Sequence, residues 1–322
     1  MIYEYALDPE LVATWHDPRA AFPFVSNMGL GHFRVMSAFP ASNWERLVLD
    51  AALAQCSTEA QRQAVCTKMS AMLQKLKEGR ASRDGVVEGA WIGAAQAEHQ
   101  AFPFGGIIVR TASTPHAALV VADQLGSWPN PAWSPTAPPV ARNAAALADA
   151  LRPLLGVATE IRFVDPYFVP SDPTFWNPLA QFLTEAIRRR TPGVALEVHV
   201  RACNGDRLRQ MQQLHPTGGL RTVTDVARFD AKECIARVGQ LLGHRTSFRF
   251  LVWSENGKEK LHNRYLLTNL GSVAVQSGLD EGPPRSTHTD DLTVLSRDQH
   301  LKRWSQYSTP PTAFKLVYEE RA

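Results

Sequence analysis

Lys260-Leu261-His262-Asn263-Arg264-Tyr265-Leu266-Leu267-Thr268-Asn269-Leu270-Gly271-Ser272-Val273-Ala274-Val275-Gln276-Ser277-Gly278-Leu279-Asp280 is the stretch on which the fold reading turns. Residues 261–268 and 272–276 are β-prone runs with Gly271 at the start of the second, so they predict adjacent strands. Side chains two apart on a strand share a side, which projects His262 and Arg264 together. The return strand brings Gln276 and Ser277 back towards the starting point. An imidazole, a guanidinium and a hydroxyl at one end of two strands suit a phosphate: a nucleophile or proton donor, a fixed cation and a hydrogen-bond donor.

Outward from this pair the chain alternates regularly. A helix over 144–155 precedes a strand over 160–164, a helix over 174–190 precedes a strand over 195–202, and a helical region over 223–242 precedes a strand over 247–253. A strand over 292–295, a helix near 298–307 and a short strand over 313–317 follow. This order predicts an α/β fold with a mixed, largely parallel sheet flanked by helices.

The quoted residues resemble the phospholipase D superfamily, whose pattern is H-x-K-x4-D-x6-G-S-x-N on paired strands. His262 stands at the His position, Arg264 at the Lys, Asn269 at the Asp, Gln276 at the Gly and Ser277 at the Ser. Leu279 falls on the final Asn position, with Asp280 beside it. Arg264 keeps the charge with another geometry, and Asn269 removes a carboxylate. The resemblance implies a phospholipase D-like domain with His262, Arg264, Asn269 and Ser277 as catalytic candidates. It also implies an acid on a later strand that orients the histidine. Asp291 is the first choice and Asp290 the second, both just before the strand over 292–295. The family's site needs two histidines, from two motifs in one chain or one motif in each of two chains. One copy is present here. His116 to Asp123 repeats the separation of His262 to Asn269, but Ala118 replaces the cation and the match is read as chance.

Lys258, Lys260 and Arg285 surround the motif and are candidates for contact with a phosphate backbone. Asp165, in Asp165-Pro166-Tyr167-Phe168, lies where a strand ends and suits either a ligand contact or a turn. His199 and Arg201 share a face of one strand and read as structural, with Arg201 able to extend a basic rim. Arg188-Arg189-Arg190 reads as a helix end on a solvated surface, and Gly29-Leu30-Gly31-His32-Phe33-Arg34 reads as a turn.

Residues 1–85 read as a helical N-terminal region, with Asp8 capping a helix from Pro9, Ser42 or Asn43 capping another, and a long helix over 58–76. The polar run 77–85 marks the boundary, and 86–322 reads as the phospholipase D-like domain, its core starting near 155. Within it, 104–110 and 117–121 suggest a hairpin, and the tryptophans of the Pro-rich stretch 128–139 suggest packing on a neighbouring surface.

With 44% apolar and 20% charged residues and a net charge of +3, the composition is globular and permits a polyanionic partner without requiring one. No run is long enough for a membrane span and Met1-Ile2-Tyr3-Glu4-Tyr5 is not a secretory signal, so a cytoplasmic protein without membrane contact is expected. The four cysteines show no metal-like spacing, and neither a cofactor nor a metal is expected. The resemblance implies a nuclease that cleaves DNA or RNA through a phosphohistidine on His262, working as a homodimer, as in prokaryotic restriction and phage-defence systems. The alternative is a catalytically degenerate relative that binds nucleic acid or serves as a scaffold among partner proteins of such a system.

Overall fold

The structure, a computed structural model, describes residues 1–111, 116–125, 138–188, 193–217, 219–242, 246–257, 259–283, 287–310 and 313–322. Lys258, Arg285, Arg189, Arg190 and most of the Pro-rich stretch therefore lie outside the described residues. The chain divides into two compact units, Met1–Ala137 and Pro138–Ala322. Among the described residues no helix is long and apolar enough to cross a membrane.

Unit 1 is itself α/β. Strands β1 (Tyr3–Leu7), β2 (Arg34–Ala38), β3 (Ala81–Ser82), β4 (Gly106–Val109) and β5 (Leu119–Val121) form a parallel sheet in the order β3-β2-β1-β4-β5. Its helices are α1 (Pro9–Val12), α2 (Pro18–Val25), α3 (Trp44–Leu53), α4 (Glu59–Lys75) and α5 (Trp91–Ala101). Asp8 caps α1 by accepting from the Glu10 N–H at 3.0 Å, as the sequence predicts. Asn43 holds the cap position of α3 without making a side-chain cap bond.

The helical reading of 1–85 and the boundary at 77–85 are corrected here. Strands of a covered parallel sheet are short and lack the alternation that betrays a half-buried strand. The polar run conceals an anchor. Arg83 is 5% exposed and its Nε donates to Glu4 Oε2 at 2.9 Å, while Ser37 Oγ donates to Glu4 Oε1 at 2.6 Å. A buried charge persists only when paired and hydrogen-bonded, so this segment belongs inside the unit. The hairpin over 104–121 is corrected as well. Ile107 pairs with Leu119 in a parallel register, which a hairpin cannot give.

Unit 2 follows the predicted alternation closely. Its elements are β6 (Val140–Ala141), α6 (Ala144–Leu155), β7 (Glu160–Val164), α7 (Pro173–Ile187), β8 (Ala195–Arg201), α8 (Gly205–Leu214), α9 (Val223–Gly239) and β9 (Ser247–Ser254). Then come β10 (Tyr265–Thr268), β11 (Gly271–Val275), β12 (Thr289–Asp290), β13 (Leu292–Val294), α10 (Arg297–Gln306) and β14 (Lys315–Arg321). Seven strands run in the order β13-β11-β10-β7-β8-β9-β14, and β12 pairs with β6 separately. Only β7, β8 and β9 are mutually parallel. The sheet is thus mixed, as expected, but not largely parallel: β10, β11, β13 and β14 all pair antiparallel. The β10–β11 connection is a tight turn with no room for a crossover helix. One sheet face packs Phe163 against Phe182 of α7, stacked at 5.8 Å. The other buries Val164, Leu251, Trp253, Leu267 and Tyr307.

That second face also carries a polar cluster. Glu197 receives Arg249 Nη1 at 2.6 Å, Arg162 Nε at 3.0 Å and His199 Nε2 at 3.0 Å. Trp253 Nε1–H donates to His199 Nδ1 at 3.0 Å, which fixes a neutral imidazole whose Nε2–H points at the carboxylate. Burial opposes charge on both groups. In His199 it prevails and lowers the pKa. In Glu197 the His199 hydrogen bond and the two guanidiniums outweigh it, and the carboxyl falls to about 2. Stability should therefore fall with acid in two stages. Below the ordinary imidazole value of 6.5, the unfolded chain protonates a histidine that the fold keeps neutral. From the ordinary carboxyl value of 4.5 down to about 2, the ionised Glu197 loses its advantage. The second stage amounts to on the order of 3 kcal/mol. Denaturant titrations at several pH values should show both stages, and Glu197→Gln should be less stable at neutrality with a shallower slope below pH 4.5. An unchanged acid slope in that variant would contradict the assignment.

Candidate active site

Four chain segments meet at one edge of the unit 2 sheet. β7 ends at Val164 and continues into Asp165-Pro166-Tyr167; β8 ends at Arg201; β10 begins after His262 and Arg264; β11 ends before Gln276 and Ser277. Because β10 runs antiparallel to β7, its start lies at the carboxyl ends of the parallel strands. Open α/β sheets bind ligands along that edge.

Tyr167 is the centre of the cluster. Its Oη lies 2.7 Å from His262 Nδ1, with the two rings edge to face. The Arg264 guanidinium carbon stands 4.7 Å and that of Arg201 5.0 Å from the phenol ring centre. Arg264 Nη1 donates to the Gln276 carbonyl at 3.3 Å, and its Nε is buried without a partner among the described residues. A guanidinium N–H removed from water and left unmatched is costly. His262 is exposed. A phenol can donate to Nδ1 or accept from it. When it accepts, Nε2 presents a lone pair to solvent; when it donates, Nε2 carries the proton.

The loop after β11 forms the floor. Gly278 has φ +115°, and a Cβ there would lie 2.2 Å from Asp280 Oδ1, so glycine is required. Asp165, 2% exposed, accepts from Leu279 N–H at 3.0 Å and from Tyr167 N–H at 3.0 Å. Burial pushes its carboxyl above the usual range, although those two bonds and nearby Arg264 act against the rise. Arg142 clamps the same loop, reaching the Asp280 carbonyl at 2.8 Å, Asp280 Oδ1 at 2.9 Å and Asp290 Oδ2 at 3.1 Å. Asp290 also accepts from Ser277 N–H at 3.0 Å.

Several expected roles change. The imidazole partner is Tyr167, not a carboxylate: Asp290 is engaged with Arg142 and Ser277, and Asp291 is exposed in the break between β12 and β13. Asn269 lies beyond the far end of β10, about 17 Å along the chain from Arg264 at strand rise. Its Oδ1 accepts from Thr159 and Glu160 N–H at 3.0 and 3.2 Å, so it fastens the start of β7, at the opposite end of β10 from His262. Gln276 is exposed and contributes its carbonyl; Lys260 and the Ser277 side chain are exposed at the rim. Asp165 is a loop anchor. Among the described residues no group of three or more His, Cys, Asp and Glu could hold a metal ion.

Sequence reasoning passed over Tyr167 and Arg142 and left Arg201 at the margin. Tyr167 and Arg201 did carry a signal, since both stand at or just past the carboxyl end of a parallel strand. Arg142 carried none, because its partners lie far along the chain. The chain matches no family model and no curated protein.

Proposed function

We propose that unit 2 is a metal-independent phosphodiesterase domain of the phospholipase D type that cleaves nucleic acid, with His262 as nucleophile. The observation that carries this reading is the cluster itself: an exposed imidazole held by Tyr167, with the guanidiniums of Arg264 and Arg201 on the same phenol ring. His262 Nε2 would attack phosphorus and form a P–N bond while the P–O bond to the leaving strand breaks. A second imidazole gives its proton to the departing oxygen. Water then attacks the phosphohistidine and surrenders a proton to that same imidazole, which restores both groups. Arg264 and Arg201 would neutralise the nonbridging oxygens. Lys260, and by sequence Lys258 and Arg285, supply charge for a phosphate backbone. The second imidazole would come from His262 of another copy in a homodimer. A prokaryotic defence or restriction system is the setting this chemistry would suit.

A second reading is favoured by one observation, the phenol in place of a carboxylate on His262. A phenol raises imidazole basicity less than a carboxylate does, and a protein with that substitution could bind nucleic acid or scaffold a complex without cleaving. Purified protein offered single- and double-stranded DNA and RNA should cleave at least one of them in excess chelator. Activity that chelation removes and a divalent cation restores would contradict the mechanism.

A further inference from the structure

Unit 1 encloses a cavity of about 640 Å³ that the chemistry of unit 2 does not use. It opens where the strand order reverses. From β1 the chain builds outward through β2 and β3 on one side, then returns to build β4 and β5 on the other. The crevice at such a reversal, outside the carboxyl ends of the strands, is where open parallel sheets bind ligands. The lining fits that position: Leu11 follows β1, Arg110 directly follows β4, Asp123 and Leu125 follow β5, and Arg19 and Phe24 come from α2.

The lining has a defined chemistry. Arg19 and Arg110 are exposed and, among the described residues, neither guanidinium makes an ion pair. Arg110 is held at its backbone, whose N–H donates to Asp8 Oδ2 at 3.2 Å. Leu11 and Phe24 form a wall continuous with the buried core, with Leu125 packed against it. Asp123 supplies an acceptor for a hydroxyl or amino group. Two cations, an apolar wall and polar acceptors that include Thr14, Asn27 and Asp123 match a phosphorylated molecule with a planar ring. The volume lies within the range of small-molecule sites, ~300–1,000 Å³. The first strand-to-helix turn is Leu7-Asp8-Pro9-Glu10, with no glycine and with the buried Asp8 carboxylate at the helix start. That turn cannot cradle a pyrophosphate, which selects a single phosphate on the arginines.

We propose that this cavity binds a mononucleotide, its phosphate on Arg19 and Arg110, its base against Leu11, Phe24 and Leu125, and a hydroxyl or amino group on Asp123. Calorimetric titration of the full chain with the four ribonucleoside monophosphates, adenosine and inorganic phosphate tests this. At least one monophosphate should bind, and more tightly than either adenosine or phosphate. The double variant Arg19→Gln/Arg110→Gln should weaken it by at least about tenfold while keeping the wild-type circular dichroism, because each charged hydrogen bond is worth that much or more. Methyl NMR of the wild type should show the nucleotide shifting Leu11 and Leu125, which locates binding in unit 1 without any variant. No monophosphate binding, phosphate alone binding as tightly as the nucleotide, shifts confined to unit 2, or a double variant of unchanged affinity would each overturn the proposal.

Discussion

His262→Ala should lower phosphodiester hydrolysis by at least ~10³-fold while leaving the fold intact. The side chain is exposed, and its hydrogen bond runs to Tyr167, itself held by Arg201 and Arg264. Exposed substitutions of this kind usually change stability by about 0.5 kcal/mol or less. A loss of rate at unchanged melting behaviour would therefore report chemistry. The effect is large because neither Tyr167 nor the buried carboxylates of this edge can replace the nucleophile. Tyr167 is fixed beneath the imidazole, and Asp165 and Asp290 are committed to loop N–H groups and Arg142. Single-turnover rates on a labelled oligonucleotide measure it. A variant with a rate within a few-fold of wild type would move the chemistry elsewhere and leave unit 2 with a binding role.

Mixing wild-type protein with an excess of His262→Ala should extinguish activity beyond simple dilution. One imidazole cannot attack phosphorus on one side and protonate the leaving oxygen on the other in the same step. If the two roles fall to His262 in each of two copies, a wild-type/variant pair retains one imidazole and is inactive. The remaining rate should then track the fraction of wild-type homodimer, the square of the wild-type mole fraction after exchange. Light scattering should give twice the chain mass, and the interface should bury more than ~1,000 Å² in total. Strictly proportional dilution, or a monomer at assay concentrations, would contradict the shared site.

How far the sequence could be read varies with locality. In unit 2, helix α6 and strand β7 are legible to the residue, because each repeats its own period between clear turn signals. In unit 1 the strands are short and buried, and β1 carries Glu4, whose partners Ser37 and Arg83 lie 33 and 79 residues away. No local pattern announces that pairing, so residues 1–85 read as helical. The site divides in the same way. That the motif gathers at one edge follows from the tight return between β10 and β11, although β10 starts only at Tyr265, so His262 and Arg264 precede the strand whose period was expected to align them. Which group holds the imidazole does not, because Tyr167 lies 95 residues from His262 and its place past the end of β7 does not name its partner. Asn269 shows the opposite error: correct spacing from His262 places it at the wrong end of the strand.

The most direct test of the phosphodiesterase account is to trap the covalent intermediate. An oligonucleotide labelled at the phosphate on the nucleophile's side of the scissile bond is mixed with the protein and quenched in alkaline denaturant. The account predicts label on the protein that is stable in alkali, lost in acid, mapped to His262 by peptide mass, and absent from His262→Ala. Cleavage that proceeds with no such adduct, or an adduct on another residue that persists in His262→Ala, would contradict it.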